Sequence, residues 1–257
     1  MLDGISKSNG ASTLETVTTT PITRDEIADA SARLEGQSPE TILRWGVERY
    51  FPRLTMATAF GAEGCCIIHM LAPIEPRVRI FNLETGYQFP ETMQVRERIK
   101  DRYGIEVELV TPDTTVAEYE EEHGGPLYAI NPDQCCFDRK KRPLVRALAG
   151  YEAWISAIRA DQTKHRARAD VVQWDGKFNL AKLNPLLNWT RNDVWSFILK
   201  HEIPYNPLHD QGYPSIGCWP CTRAVAIGED ERAGRWAGTD KKECGLHVIE
   251  HEGGSGI

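Results

Sequence analysis

The sequence has no apolar run near the roughly 20 residues that a membrane-spanning helix needs. Met1 to Thr20 also lacks the hydrophobic stretch of a signal peptide. A cytoplasmic protein is expected. Positive charge is in deficit: 30 Lys and Arg stand against 37 Asp and Glu, a formal net charge of −7. Such a balance argues against broad binding to nucleic acid or an anionic membrane, although a local basic pocket stays compatible with it. There is no internal repeat and no linker that would set off a second domain. Disulfides are not expected in a reducing compartment. The seven cysteines, at 65, 66, 135, 136, 218, 221 and 244, therefore read as metal ligands or reactive thiols. Their number is odd, and Cys244 is the natural one left over.

What is present is an ordinary globular composition, 41% hydrophobic and 26% charged over 257 residues, enough to bury a substantial core. Residues 1–21 are rich in Ser, Thr and Gly without periodicity and read as a flexible arm. Thr23 with Glu26 makes a capping-box pattern that opens a helix through about Leu34. Ser38-Pro39-Glu40-Thr41 opens another to about Phe51, with Leu43, Val47 and Tyr50 at helical spacing. Leu54–Phe60 reads as a buried strand, followed by Gly61-Ala62-Glu63-Gly64 and an apolar helix from Cys65 to Leu71. Val78–Leu83 and Glu106–Val110 are further strands, separated by the turn Glu84-Thr85-Gly86 and an amphipathic helix, Pro90–Tyr103. Trp154–Ile158 is a fourth strand, delivering Arg159 to its end, and Lys164–Arg168 a basic loop. Val171–Trp174 and Phe178–Leu183 form a hairpin across Asp175-Gly176, and Thr190 caps a helix over Asn192–His201. This alternation predicts an α/β domain with a doubly wound, mostly parallel sheet over residues 22–211. Residues 212–257 are an irregular, Pro- and Gly-rich tail of the same domain.

In such sheets ligands sit beyond the carboxyl ends of the strands, where Gly61 and Gly86 both fall. A strand, a glycine turn and a helix N-terminus present backbone N–H groups to an anion, although a short turn with two glycines serves equally as plain connection. Cys65 and Cys66, among Ile67, Ile68 and Met70, read as small buried hydrophobes. Asn131-Pro132 starts a helical segment bearing Cys135-Cys136 and Arg139-Lys140-Lys141-Arg142; a solvated basic helix and a metal site both fit it. Cys218-x-x-Cys221 has a metal-chelating spacing. Together the four thiolates suit zinc or an iron–sulfur cluster. A vicinal pair reaches one small ion poorly, whereas a cubane with iron at separate corners takes neighbouring thiolates, which favours [4Fe–4S]. Arg232 and Arg235 are of the type that clamps phosphate or sulfate. Cys244 lies beside Lys241 and Lys242 and near His247, surroundings that favour a thiolate; these cations also read as plain surface residues. An adduct on Cys244 would need an external thiol for its release.

The pairing of Cys135-Cys136 with Cys218-x-x-Cys221, and the ending Glu243-Cys244-Gly-Leu-His247, closely resemble the bacterial assimilatory adenylylsulfate (APS) reductases over about Leu54 to His247. The resemblance implies an adenine-nucleotide α-hydrolase-like fold that binds adenosine 5′-phosphosulfate (APS). It implies attack of the Cys244 thiolate on the sulfate sulfur, loss of AMP, an S-sulfocysteine, and release of sulfite by thioredoxin, in sulfate assimilation toward cysteine. It further implies that Cys135, Cys136, Cys218 and Cys221 hold [4Fe–4S] and that Lys140 links cluster and substrate charge. Arg159, Arg166, Arg232, Arg235 and His247 match phosphosulfate contacts, and Thr85-Gly86 the nucleotide-binding strand end. Gly61, Ala62 and Glu63 match the phosphate loop, with Thr58 supplying a hydroxyl nearby. The chain departs from the family at this loop. Ala59-Phe60 precede Gly61 where a serine is frequent, Gly64 takes the place of an acid, and Ala160 that of a second arginine. Members specific for the 3′-phosphorylated nucleotide generally lack the four cysteines, so APS is the expected substrate. Plant-type members carry a fused thioredoxin-like domain; here the sequence ends at Ile257, and a separate reductant is expected. A tRNA-thiolation protein of the ATP-pyrophosphatase type would need a Ser-Gly-Gly-x-Asp-Ser loop that is absent. A cluster-bearing sensor would leave Cys244 and the arginines without a task. Oligomeric state is left open.

Overall fold

The computed structural model describes residues 23–239, 241 and 245–246. The arm before Thr23, Cys244 and His247 lie outside them. Helix α1 (Arg24–Leu34) is opened by the Thr23–Glu26 capping box, and α2 (Pro39–Tyr50) by the Ser38 hydroxyl on the Thr41 N–H. Six strands then follow: β1 (Leu54–Thr58), β2 (Arg79–Leu83), β3 (Glu108–Val110), β4 (Ala153–Ile155), β5 (Val172–Asp175) and β6 (Leu180–Leu183). They lie in the order β3-β2-β1-β4-β6-β5, all parallel except the antiparallel edge strand β5. This is the predicted doubly wound, mostly parallel architecture.

Strand residues point alternately to the two faces of a sheet. Met56, Ile80, Ile155 and Leu183 face one way, against α2, α3 (Ala62–Leu71) and α9 (Arg191–His201). Phe81, Trp154 and Leu180 face the other way, against Leu144 and Leu148. Both faces are covered, as parallel strands require. The chain runs outward from β1 through β2 to β3, then returns to the far side of β1 as β4. The switch point thus lies between β1 and β4, and a crevice opens beyond their carboxyl ends.

Several boundaries differ from the sequence reading. β1 stops at Thr58 because Phe60 adopts a left-handed conformation (φ 54), which breaks the extended run. Helix α3 starts at Ala62, with Gly61 as its N-cap. The segment after β3 holds three short helices, α5 (Val116–Glu122), α6 (Leu127–Ile130) and α7 (Pro132–Cys136), and α4 (Pro90–Tyr103) precedes them as expected. After α7 the chain forms a π turn over Phe137–Lys141 and then α8 (Arg142–Leu148). Pro143 has no N–H to give the carbonyl of Arg139, and the helix widens just ahead of it.

Candidate active site

The β1–α3 connection builds an anion cradle. No side chain caps α3, and Gly61, Glu63 and Gly64 line the crevice at the positive end of its helix dipole. The Thr58 hydroxyl accepts the Phe60 N–H at 3.0 Å and fixes the turn. A Cβ on residue 64 would stand 2.7 Å from that hydroxyl oxygen. Gly64 therefore gives Thr58 its room, which accounts for the missing acid at this position. Asn82 Nδ2 donates to the Thr58 carbonyl at 2.8 Å, and Gln88 Nε2 to Asn82 Oδ1 at 2.6 Å, tying the ends of β1 and β2 together.

Beyond these strand ends lies a cleft with about 1370 Å³ of empty space, the solvent at its mouth included. One end is apolar, walled by Ala57, Leu83, Leu144 and Trp154. Lys140, Arg166, Arg232 and Arg235 line the same cleft and supply cations, as expected from the sequence, and so do Thr58, Gly61, Glu63 and Thr85. An apolar slot beside a cationic cradle suits a planar base joined to an anion.

Three expected contacts fall elsewhere. Ala62 and Gly86 are not among the residues lining the cleft. Gly86 has φ 79, and a Cβ there would meet Val116 and the Arg139 guanidinium, so its task is to let that arginine pass. Arg159 is the third. Its guanidinium is turned away from the cleft lining and taken up by three carboxylates. Nη1 donates to Glu63 Oε1, Nε to Asp161 Oδ1 at 2.9 Å, and Nη2 to Glu231 Oε2 at 3.1 Å. Burial alone would depress the Arg159 guanidinium, but the charges of Glu63, Glu231 and Asp161 hold it above its ordinary range. Gln162 completes the cluster, donating to Glu63 at 3.0 Å and accepting from Arg166.

A second, smaller cavity, with about 360 Å³ of empty space when open solvent is included, adjoins the cleft, and Cys135, Cys136, Cys218 and Cys221 all line it. The remaining lining is mostly prolines and aromatic rings, among them Pro132, Pro220, Tyr87, Tyr128 and Trp236. Among the described residues no three or more metal-ligand side chains close on a single ion-sized point. Burial pushes the Cys135 thiol up to about 12 and Cys221 to about 11. At Cys218 burial pulls upward too, but Lys140, the Thr85 hydroxyl and Arg235 bring it below the usual thiol range. Lys140 lines both cavities and so stands in their common wall. The π turn explains why. It sends Arg139 into the core, where Nε donates to the Thr85 carbonyl at 2.6 Å between the rings of Tyr87 and Tyr119. Cys65 and Cys66 lie elsewhere, fully buried in the main core, in agreement with their bland reading.

The Cys218–Cys221 loop is stitched on both sides. Trp219 N–H donates to the Tyr87 carbonyl at 2.8 Å, and Trp236 N–H to the Cys221 carbonyl at 3.0 Å. The second link carries a strap, residues 223–239, that brings Arg232 and Arg235 to the cleft. Arg235 lies across Trp236 at 4.6 Å, and its buried Nε has no hydrogen-bond partner among the described residues. An unsatisfied buried guanidinium N–H lining a cleft is suited to an anion. Beyond the strap, Lys241 pairs with Asp133, the Gly245 carbonyl accepts from Lys177 Nζ at 3.2 Å, and Leu246 lines the cleft. Gly217 gives Arg235 its place, since a Cβ there would overlap the guanidinium. Gly217→Ala is expected to weaken AMP binding about tenfold, the scale of one lost charge-assisted contact. Calorimetric titration of both proteins measures it, and equal affinity would show that Arg235 does not reach the nucleotide.

Sequence reading missed Arg139, Gln162, Glu231, Trp236 and His209. His209 lines the cleft, with Nδ1 2.8 Å from the Tyr213 carbonyl and a buried Nε2 that has no partner among the described residues. Pro132 and Pro143, flanking the basic run, mark locally only that its helix is interrupted.

Sheet order, switch-point cleft and cradle define an adenine-nucleotide α-hydrolase-like protein. Residues 53–224 match the phosphoadenosine phosphosulfate reductase domain. The chain belongs to the phosphoadenosine phosphosulfate reductase family. It is 46% identical to a phosphoadenosine 5′-phosphosulfate reductase of Gloeobacter violaceus, covering 83% of this chain and 90% of that one. It is 40% identical to an adenosine 5′-phosphosulfate reductase of Salinibacter ruber, over 89% of this chain and 91% of the relative. Among solved structures, a phosphoadenylyl-sulfate reductase of Candida auris in complex with phosphate superposes with a TM-score of 0.70 at 29% identity, covering 80% of this chain and 100% of that one.

Proposed function

We propose that this protein reduces adenosine 5′-phosphosulfate to sulfite and AMP, with a dithiol protein of the thioredoxin type as reductant. The observation that carries the reading is the common wall: a four-cysteine cavity and a nucleotide-sized cleft share Thr85, Lys140, Cys218, Arg235 and Trp236. The cleft's apolar end takes the adenosine, and the α3 N-terminus, Lys140, Arg166, Arg232 and Arg235 take the phosphosulfate. His247 is the remaining proposed contact. The Cys244 thiolate attacks the sulfate sulfur, the sulfur–oxygen bond to the phosphate breaks, and AMP leaves with the electron pair. The fixed cations stabilise the charge that gathers on the departing phosphate. A thiolate of the partner then attacks the Cys244 sulfur, sulfite departs, and a second partner thiol resolves the mixed disulfide. Two partner thiols are oxidised as one sulfate is reduced to sulfite, so the electrons balance.

Four thiols lining one cavity, one pair vicinal and the other Cys-x-x-Cys, suit a [4Fe–4S] cluster better than a lone metal ion, and Cys135, Cys136, Cys218 and Cys221 would hold it. When bound it supplies a local charge that Lys140 shares with the substrate. The Gloeobacter relative's name points to the 3′-phosphorylated nucleotide as a second reading. Anaerobic incubation of the cluster-loaded protein with APS, without thiol, is expected to add one sulfite to Cys244 by intact-protein mass spectrometry, and thioredoxin should remove it. An adduct only with the 3′-phosphorylated nucleotide would transfer the assignment to that substrate. No adduct with either would end the reductase reading.

A further inference from the structure

Arg159 and Glu231 are 72 residues apart in sequence and meet at the cleft wall, which Glu231 lines and Arg159 does not. Arg159 comes from the loop after β4 and is 1% exposed; Glu231 belongs to the strap and is 25% exposed. The arginine is already neutralised without it, since Glu63 and Asp161 take Nη1 and Nε. Glu231 is a third carboxylate on one cation. Its own carboxyl is held above the usual range, by burial first and by the neighbouring Glu63, with Arg159 opposing. By charge count the third acid adds little to stability, and buried ion pairs in general stabilise weakly while fixing geometry.

The geometry it fixes is that of its neighbour. Arg232 follows directly, with its N–H on Asp230 Oδ1 at 2.8 Å and Nη1 3.4 Å from Ser215 Oγ. Arg235 Nη1 reaches the same hydroxyl at 3.4 Å. Farther out, Arg223 and Glu229 pair at 2.8 Å and close the strap's outer turn. We infer that Glu231 is a positioning residue: docked on Arg159, it anchors the strap so that Arg232 faces the anionic end of the substrate. Arg159 then acts from behind the cleft wall rather than on the phosphosulfate. This inference rests on the cleft being the nucleotide site.

The test uses the full-length, cluster-loaded protein and its Glu231→Gln, Glu231→Ala and Glu229→Gln variants. AMP affinity is measured by calorimetry, kcat and KM with APS and thioredoxin, and the unfolding midpoint in denaturant. Glu231→Ala is expected to lose about tenfold in AMP affinity and to raise KM by a similar factor, about 1.4 kcal/mol. Glu231→Gln should fall between it and the parent. kcat should change less than about threefold and the unfolding midpoint should hold, because Arg159 keeps two carboxylates. Glu229→Gln should match the parent. Unchanged AMP affinity in Glu231→Ala would overturn the inference, and so would a loss of affinity that tracks a fall in the unfolding midpoint. If the parent itself bound no AMP, the reading of the cleft would fall first and take the inference with it.

Discussion

Cys244→Ser is expected to reduce sulfite release by more than about a thousandfold while iron content and AMP affinity stay at the parent's level. The argument is chemical. A thiolate is available near neutral pH, whereas a serine hydroxyl has no comparable anion without a strong base beside it. Serine could not support the second half of the reaction either, because thiol exchange needs sulfur at the adduct. The described neighbours on either side meet the domain near the cleft: Lys241 pairs with Asp133, and Leu246 lines the cleft itself. Sulfite production by a coupled assay, with iron analysis of the same sample, separates loss of the nucleophile from loss of the fold. Residual turnover within tenfold of the parent would remove Cys244 from the mechanism.

Cys135→Ser should take bound iron from about four atoms per chain to less than one. The four thiols ring a single cavity, and serine offers a harder, more basic oxygen in place of a soft sulfur. Burial pushes the Cys135 thiol up to about 12 and Cys221 to about 11, so binding a cluster would release protons, and a cluster that needs all four ligands would be lost as a unit. One missing member therefore costs more than a quarter of the iron. Cys65→Ser is the matched control. That thiol is buried too, but its sulfur faces the Phe60 carbonyl at 3.7 Å in the main core. It should lower stability and leave iron unchanged. Full iron in Cys135→Ser would exclude this residue from the ligand set.

Much of this architecture was legible because its signals are local. Thr23, Ser38 and Thr190 announce their helices through caps within three residues, and the Asp175-Gly176 turn announces the β5–β6 hairpin. The four cysteines were legible by type and spacing, and the structure does gather them around one cavity. What stayed hidden depends on partners far away in the chain. Arg159 looked like an anion contact until Glu63 and Glu231, 96 and 72 residues distant, were seen to hold it. The basic run after Cys136 could not be sorted, since only the π turn decides that Arg139 goes inward and Lys140 to the wall. Gly64 looked like a defect of the phosphate loop, and its reason is the Thr58 hydroxyl across the turn.

The wall shared by the two cavities has a consequence for how the protein can change over time. A substitution at Lys140 is tested twice, once by the thiols on one side and once by the anion on the other. A change that one chamber tolerates is still screened by its neighbour. At the apolar end of the cleft, Ala57, Leu83 and Leu144 line a single chamber and are otherwise held by the core behind it. Positions in the common wall are therefore constrained from two chambers at once, and those at the apolar end from one chamber and the core.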